Sequence, residues 1–339
     1  MTIQYPAVFL ETDTCNSKGS FYRISESEKP KHHVFLLLDG FTHLTFACAI
    51  EPLRLANFAS KKDVYSWSVI SENGESVDCS NGTTFLVNSG LNSLTPRDSL
   101  IIVGGQSPRK PVTKSLLAYI RRERARGVAI AALGAGSYVV ALAGILDFRA
   151  CAVHWHEYDA FVENFPKVRA SHSVFVAGKV PTSAGGTAAA DLFLHLICTQ
   201  NGPKLAAQVA DLMVYGGIRG PHSVQKASVH SRFGIRNFNV ISIINCMEKN
   251  IDTPVSILNL SEQVGLSVRQ IERNFKRYLN ESPMTFYMRL RLTKADTLLL
   301  QTSMTMVDIA FACGFKSQSH FSKLYKKQFG LTPSKQRIV

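Results

Sequence analysis

The sequence lacks closely spaced cysteines. The seven that it has are odd in number and scattered, with no Cys-x-x-Cys pair among them: Cys15, Cys48, Cys79, Cys151, Cys198, Cys246 and Cys313. Neither a disulfide framework nor a zinc site is indicated, and a reducing cytoplasm fits this usage best. The first residues also lack the basic region and the long apolar run of a signal peptide. We therefore expect a cytoplasmic protein with no metal and no cofactor.

Acidic side chains are scarce relative to basic ones. The chain has 25 Asp and Glu against 38 Lys and Arg, a net charge of +13 at pH 7. The excess lies towards the end, because residues 240–339 carry 14 basic and 7 acidic side chains whereas residues 1–202 carry 19 and 17. Such an excess usually indicates a polyanionic partner, with nucleic acid as the first candidate. The alternative is a basic surface that serves only solubility.

One uncharged run, residues 127–146, is about as long as a membrane span requires. Gly134 and Gly136 divide it into a β-type run, Val128–Leu133, and a run compatible with a helix, Tyr138–Leu146. A strand, a tight turn and a buried helix in an α/β domain explain the same residues. We favour this interpretation over a transmembrane helix.

Short apolar runs alternate with helical patterns after a polar, pattern-free extension over residues 1–30. We predict strands at His33–Leu38, Tyr65–Ile70, Ser99–Val103 and Val128–Leu133. Between and after them we predict a helix at Ala47–Ala59, an amphipathic helix at Pro111–Arg124 and a buried helix at Asp191–Ile197. This alternation predicts a layered, mostly parallel, flavodoxin-like α/β domain over residues 31–202. Glycine and proline over residues 203–239 indicate a linker.

The last hundred residues contain a repeated unit of helix, short turn and helix. Gly265–Pro283 resembles Gly314–Pro333, at an offset of 50 residues from Ile271 onward and with one extra residue in the second turn. In the first copy Gly265 ends one helix, and the next helix places Ile271 and Phe275 on one face. We predict that residues 240–339 form an all-α domain with two helix-turn-helix motifs.

The polar face of each second helix is predicted to contact DNA. Arginine on such a face can bond the edge of guanine in a major groove, and lysine can bind phosphates. The predicted base contacts are Arg269, Arg273, Gln318, Ser319, Ser322 and Lys323, the predicted phosphate contacts are Lys276, Lys326 and Lys327, and Gln270 is a further predicted DNA contact. The alternative is an ordinary helical bundle whose basic side chains are merely solvated.

A helix over residues 283–300 would connect the two copies. Its length is about 27 Å at about 1.5 Å per residue. This is close to one turn of B-DNA, about 34 Å, so the two motifs could enter successive major grooves without dimerisation.

The run 256–338 resembles the AraC/XylS type of DNA-binding domain. The resemblance is carried by Ala295 with Leu298 and Leu299, DIAFACGF (Asp308–Phe315), SQSHFSKLYKKQFG (Ser317–Gly330) and LTPSKQR (Leu331–Arg337). The family usually has an aromatic residue before the final arginine, where this chain has Gln336, and we expect little consequence. The resemblance implies a sequence-specific transcription regulator that binds double-stranded promoter DNA, with RNA polymerase as a further candidate partner.

Residues 31–202 resemble the class I glutamine amidotransferase-like superfamily, which includes intracellular proteases. The resemblance is carried by Gly40–Asn57, Ile101–Gly105, Ala132–Trp155 and Thr182–Leu196. In the superfamily's enzymes a cysteine nucleophile follows the strand that corresponds to Val128–Leu133, and that position here is Gly134. The usual acidic partner falls near Thr45, which has no carboxylate. We therefore expect no catalysis, although an active hydrolase with an appended DNA-binding domain is the alternative.

The combination of these two domains resembles the GlxA-like subgroup of AraC-type regulators. The resemblance implies that the first domain senses a small molecule, often an amino acid or a quaternary amine, and that the protein forms a homodimer. Ligands of open α/β sheets bind at the carboxyl ends of the strands. We therefore predict an effector site at Phe41, Gly134, Ala135, Ser137, His154, Trp155 and Ser183.

Two parts of this predicted site have a specific chemistry. Trp155 could face a cationic head group, and the N–H groups of residues 134–137 could bind a carboxylate. The alternatives are a core aromatic side chain for Trp155 and a structural histidine for His154. A non-specific nucleic-acid packaging protein is the remaining alternative for the whole chain.

Overall fold

The structure is a computed structural model. It describes residues 30–105, 112–221, 223, 225, 233–235 and 237–337. Apart from Pro30, the extension predicted over residues 1–30 lies outside the described residues.

The first domain is built on a six-stranded sheet. Its strands are β1 (Lys31–Leu37), β2 (Tyr65–Ile70), β5 (Ser99–Val103), β6 (Ala129–Leu133), β9 (Phe175–Val176) and β10 (Thr182–Ser183). They lie in the order β2-β1-β5-β6-β10-β9, and all neighbours are parallel except β9 and β10. The five parallel strands follow the flavodoxin-like order 2-1-3-4-5, which confirms the predicted fold class.

Two small sheets accompany the main one. An antiparallel pair is formed by β3 (Val77–Asp78) and β4 (Thr84–Phe85), and a parallel pair by β7 (Ala150–Ala152) and β8 (Arg169–Ser171). The helices of this domain are α1 (His43–Ser60), α2 (Lys114–Ala125), α3 (Gly136–Leu142), α4 (Tyr158–Asn164), α5 (Ala188–Asn201) and α6 (Pro203–Leu212).

Helices cover both faces of the main sheet. In β5, Ile101 and Val103 belong to the core that includes α1, α5 and α6, whereas Leu100 and Ile102 belong to the core that includes α2 and α3. Alternate side chains of a strand point to opposite faces. This explains why β5 reads as an unbroken apolar run.

The second domain is entirely helical. Its helices are α7 (Phe238–Lys249), α8 (Ile257–Val264), α9 (Val268–Leu279), α10 (Pro283–Gln301), α11 (Met306–Ala312), α12 (Gln318–Phe329) and α13 (Pro333–Gln336). It has two cores, and α10 contributes Phe286 and Tyr287 to the first and Leu292 and Ala295 to the second. The predicted pair of helix-turn-helix units is therefore present, joined by one shared helix.

Polar caps define where these helices begin. Each of the seven starts after a Ser, Thr or Asn whose side-chain oxygen accepts a backbone N–H of the first turn: Asn237, Ser256, Ser267, Ser282, Thr305, Ser317 and Thr332. Each such cap contributes about 1 kcal/mol to stability.

Some predicted bounds differ from those of the structure. The helix predicted up to Leu146 ends at Leu142, because the chain turns at Gly144, whose φ is +74°. The amphipathic helix begins at Lys114, and Pro111 lies outside the described residues. In the part of the chain that the structure describes, no helix has both the length and the apolarity that crossing a bilayer requires.

The segment predicted as a linker contributes to both neighbouring cores. Pro203–Leu212 form α6, which packs against α1 and α5 through Ala206 and Val209. Further on, Phe233 and Ile235 pack in the first core of the helical domain. The domain bounds themselves stay predictions. The two domains also meet where α4 contacts α10, with Lys294 Nζ 3.3 Å from Asp159 Oδ1.

Candidate DNA-binding surface and effector site

The first helix-turn-helix unit places its predicted arginines on the surface. Gly265, with φ +64°, ends α8, and Ser267 caps α9. Ile271 and Phe275 are fully buried, whereas Arg269 and Arg273 are exposed. The exposed arginines are four residues apart and therefore lie on one side of α9.

Gln270, a further predicted DNA contact, is exposed on α9. Its Oε1 accepts a hydrogen bond from the backbone N–H of Ser267 at 2.9 Å and forms the capping box of α9. The acceptor of Gln270 is thus engaged in the helix cap, and reading of a base through that oxygen is not supported. The signal was available in the sequence, since a serine followed three residues later by glutamine is a capping-box pattern.

The second unit repeats the arrangement. Phe321 and Tyr325 are buried, and the Tyr325 hydroxyl donates to Asp296 of α10. The predicted contacts on α12 are all exposed except Ser322, which is half-buried: Gln318, Ser319, Lys323, Lys326 and Lys327. Helix α12 carries three lysines and no acidic residue, so its surface favours a polyanion.

The turn from β6 to α3 has the geometry of a nucleophile elbow without a nucleophile. Gly134 lies directly after β6 with φ +58°, a conformation that side chains rarely adopt. Thr45 lies nearby, since its Oγ1 accepts from the N–H of Gly186 at 2.7 Å. A Cβ added to the adjacent Gly185 would lie 3.1 Å from the Gly134 Cα and 3.2 Å from that Oγ1. Gly134 and Thr45, which the sequence comparison predicts at the cysteine and acid positions of the superfamily's enzymes, thus lie close together.

Most of the N–H groups of this turn that were predicted to bind a carboxylate already donate to carbonyls of the protein. Gly134 donates to Ser183 O at 2.9 Å, Ala135 to Gly105 O at 3.1 Å and Ser137 to Gly134 O at 3.1 Å. The protein's own carbonyls therefore use three of the four groups. Backbone also fills the space beside the turn, since a Cβ on Gly105 would lie 2.1 Å from Gly40 O.

The structure separates the predicted effector residues into two groups. Phe41, Ala135, Ser137 and Ser183 are buried around the turn at Gly134. His154 is half-buried and Trp155 is 41% exposed, so the alternative of a core aromatic side chain is wrong for Trp155. The rings of His154 and His156 each lie 5.5 Å from that of Trp155. This exposed aromatic group follows the carboxyl end of β7.

Gln225 and Glu157 lie beside the rings of His154, Trp155 and His156, and neither was predicted from the sequence. The Gln225 side chain accepts from the N–H of Trp155 at 2.8 Å and donates to Val153 O at 2.7 Å and to Ser173 O at 2.8 Å. The Glu157 Oε1 is buried without a hydrogen-bond partner among the described residues. Burial raises the pKa of the Glu157 carboxyl from 4.5 to about 8.

We expect Glu157→Gln to reduce the dependence of folding stability on pH. The folded protein keeps a proton on Glu157 that the unfolded chain releases near pH 4.5. This contribution is therefore fully present below that pH and is lost as the pH rises through about 8. Denaturant unfolding followed by circular dichroism at about pH 5 and about pH 8.5 measures it.

The control for this prediction is Glu163→Gln, because Glu163 is an exposed glutamate of α4. Relative to the Glu163 variant, the Glu157 variant should gain stability at the higher pH. Equal changes in the two variants at both pH values would contradict the assigned burial of the Glu157 carboxyl.

Two family models match the chain. Residues 260–337 match a helix-turn-helix domain, and residues 32–199 match the DJ-1/PfpI family. The HTH-type transcriptional regulator CdhR of Pseudomonas aeruginosa is 40% identical over 306 residues, which cover 90% of this chain and 91% of that protein. The chain belongs to the HTH-type transcriptional regulators.

Two further HTH-type transcriptional regulators are similar over most of their length. GbdR of Pseudomonas aeruginosa is 36% identical over 92% of this chain and 85% of its own, and GlxA of Rhizobium meliloti is 29% identical over 92% and 97%. The predicted resemblance to GlxA-like regulators with an amidotransferase-like first domain is thereby confirmed. The function follows from it: this HTH-type regulator is a DNA-binding transcription regulator whose first domain matches the DJ-1/PfpI family.

Proposed function

We propose that this regulator reads two successive major grooves with α9 and α12, and that a small molecule bound by the α/β domain controls this reading. One observation carries the first half: two capped units, each with an exposed basic helix, share the single helix α10. Helix α10 has 19 residues, or about 28 Å at about 1.5 Å per residue. That length suits one turn of B-DNA.

Within this proposal the exposed side chains divide by chemistry. Arg269, Arg273, Gln318, Ser319 and Lys323 would contact bases, together with the half-buried Ser322. Lys276, Lys326 and Lys327 would contact phosphates. The Lys276 Nζ lies 3.4 Å from Asn280 O at the end of α9, which leaves its other two N–H groups available.

Footprinting with the full chain tests the reading of two grooves. We expect two protected segments on one face of the DNA, about 10 base pairs apart, on a promoter fragment in the presence of excess random DNA. Uniform protection along the fragment, without a preference over random DNA, would instead indicate non-specific packaging.

We further propose that the α/β domain has no catalytic activity. Beside the missing nucleophile, the thiols of Cys151 and Cys48 are unsuited to attack. Burial raises the pKa of the Cys151 thiol to about 11, and burial together with the Asp191 carboxylate raises the pKa of the Cys48 thiol. A thiol with a raised pKa has little thiolate at neutral pH, and thiolate is the nucleophile.

A thiol-reactive substrate mimic is therefore expected to leave Cys151 and Cys48 unlabelled in the folded protein near neutral pH. Mass spectrometry locates the label, and the same protein unfolded in urea provides the control in which both thiols react. Labelling of either residue in the folded protein, accompanied by turnover, would revive the alternative of an active hydrolase.

For the effector, we propose a small molecule with a cationic group, such as an amino acid or a quaternary amine, bound near Trp155. An exposed indole attracts cations, and Trp155 is 41% exposed. A melting-temperature screen of the full chain with amino acids, betaines and polyamines tests this class. A ligand at about 100 times its Kd should add about 2.7 kcal/mol.

Two contacts of the Trp155 segment support transmission of the signal. Gln225, in the segment that leads to the helical domain, bonds the backbone at Val153, Ser173 and Trp155. Helix α4 directly follows the Trp155 segment in the chain, and its Asp159 pairs with Lys294 of α10. An effector can shift the arrangement of the domains only if it binds one arrangement more tightly than the other.

The resemblance to GlxA-like regulators supports two further parts of the proposal. The protein would act in the cytoplasm as a homodimer formed through the α/β domain, and it would contact RNA polymerase at the promoter. Sedimentation of the full chain tests the dimer, since a monomer at the concentration that gives footprints would exclude it.

A further inference from the structure

The turn of the second helix-turn-helix unit packs closely against a loop of the first unit. A Cβ placed on Gly314 would lie 2.5 Å from Cδ and Cγ of Pro254 and 2.7 Å from Ile251 O. Pro254 and Ile251 belong to the loop between α7 and α8. Atoms this close cannot coexist without a shift, and a proline ring is not a flexible side chain that can move aside. Only glycine fits at position 314 against this loop.

The corresponding glycine of the first unit has no such contact. Gly265 has φ +64°, close to the +72° of Gly314, and both follow the first helix of their unit. A Cβ on Gly265 would have none of the described atoms within 4 Å beyond its chain neighbours. The close contact that requires glycine is therefore specific to the turn of the second unit and does not come from the repeated motif itself.

Helix α10 holds both partners of this contact in place. The Tyr287 hydroxyl donates to Asn250 O and accepts from the N–H of Val255 at 3.3 Å, which fixes the loop of the first unit. One helical turn later, Arg291 donates from Nε to Cys313 O at 2.8 Å and from Nη2 to Gly314 O at 2.7 Å. Both side chains are buried or nearly so.

The aromatic ring after the turn completes this attachment. The Arg291 guanidinium lies 4.2 Å from the centre of the Phe315 ring, a cation–π contact. Helix α10 thus fixes the loop that contains Pro254 and the turn that contains Gly314, and the two segments meet. This contact therefore joins the two units directly, beside their shared attachment to α10.

We propose that the contact between Pro254 and Gly314 is a positioning contact that fixes the separation and rotation of the two recognition helices, α9 and α12. It would thereby set the half-site spacing that the regulator accepts. The inference rests on the proposed reading of two grooves. Each inserted base pair moves one half-site by about 3.4 Å and rotates it by about 34° relative to the other, so a rigid pair of readers tolerates little change.

The matched variants are Gly314→Ala and Gly265→Ala. Both place alanine in the left-handed region at a similar φ and carry similar backbone strain. Only the first adds a collision with Pro254. A third variant, Pro254→Gly, removes the ring and leaves the second turn unchanged, so it answers the same question if Gly314→Ala does not fold.

Binding of the full chain is measured by fluorescence anisotropy on the DNA segment protected in footprinting. The same segment is also used with one base pair inserted between the half-sites, and with one half-site randomised. For wild type and Gly265→Ala we expect the insertion to weaken binding about tenfold or more. For Pro254→Gly we expect the insertion to cost less than about threefold, because the units can then adjust.

For Gly314→Ala we expect binding to the natural spacing to weaken about tenfold relative to Gly265→Ala, with equal binding of the two variants to the DNA that has one intact half-site. Identical spacing profiles for wild type, Pro254→Gly and Gly314→Ala would overturn the positioning contact. If wild type bound the single half-site as tightly as the whole segment, the reading of two grooves would itself fail, and this inference with it.

Discussion

Replacing Arg219 by alanine is expected to lower the free energy of unfolding of the α/β domain by about 3 kcal/mol. The Asp191 carboxylate on α5 is fully buried; its Oδ1 accepts from the Arg219 backbone N–H at 2.7 Å, and its Oδ2 accepts from Arg219 Nε at 2.8 Å and lies 2.7 Å from Nη2. The variant leaves a buried charge without its counter-ion. The value is placed at the lower end of the range for such losses because the Arg219 side chain is 34% exposed.

Tryptophan fluorescence measures this loss selectively. The chain has two tryptophans, Trp67 and Trp155, and both lie in the α/β domain. For a domain of this size, about 3 kcal/mol corresponds to a fall in Tm of about 6–12 °C. The fluorescence transition of the full chain should show that fall, while the helical domain is monitored separately by the remaining circular dichroism signal.

The control is Arg54→Ala in the same domain. Arg54 pairs with Glu51 at 2.6 Å, but the two side chains are 53% and 45% exposed. An exposed pair at this spacing contributes about 0.5 kcal/mol or less. Equal falls in Tm for the two variants would contradict this prediction, because they would show that the Asp191 carboxylate does not need Arg219 as its counter-ion.

Most of the architecture could be predicted from local patterns. The apolar runs of β5 and β6 are long enough for strands and have no polar face, which is typical of a parallel sheet covered on both sides. In the helical domain, Gly265 and Ser267 mark the end of one helix and the start of the next. Signals of this kind act within a few residues, so the sequence alone contains them.

What the sequence could not reveal depends on contacts between distant residues. Glycine and proline after residue 202 suggested a linker, yet Arg219 reaches back 28 positions to Asp191, and Gln225 reaches back to Val153. Likewise the large apolar side chain of Trp155 is typical of a core residue, but Trp155 is exposed and follows the end of a strand. Burial of Glu157 and the close approach of Pro254 to Gly314 are set by tertiary packing and have no local signature.

Arg273→Ala is the second large effect that we expect. It should weaken binding to the cognate site by about 1–3 kcal/mol, or about 5- to 150-fold, and relax the preference at one base position. Arg273 is exposed between the buried Ile271 and Phe275, so the core does not depend on its side chain. The loss would come from hydrogen bonds to a base edge, which random DNA does not offer in register.

Lys327→Ala provides the contrast that separates reading a base from binding a phosphate. Lys327 is exposed in the last turn of α12, so its removal should weaken cognate and random DNA alike and reduce the salt slope by about 1. Gel shifts of both variants on both DNAs at several salt concentrations distinguish the two roles. If Arg273→Ala lost equal affinity for cognate and random DNA, Arg273 would be a phosphate contact, and the specificity of the first unit would have to come from other exposed side chains of α9, such as Arg269.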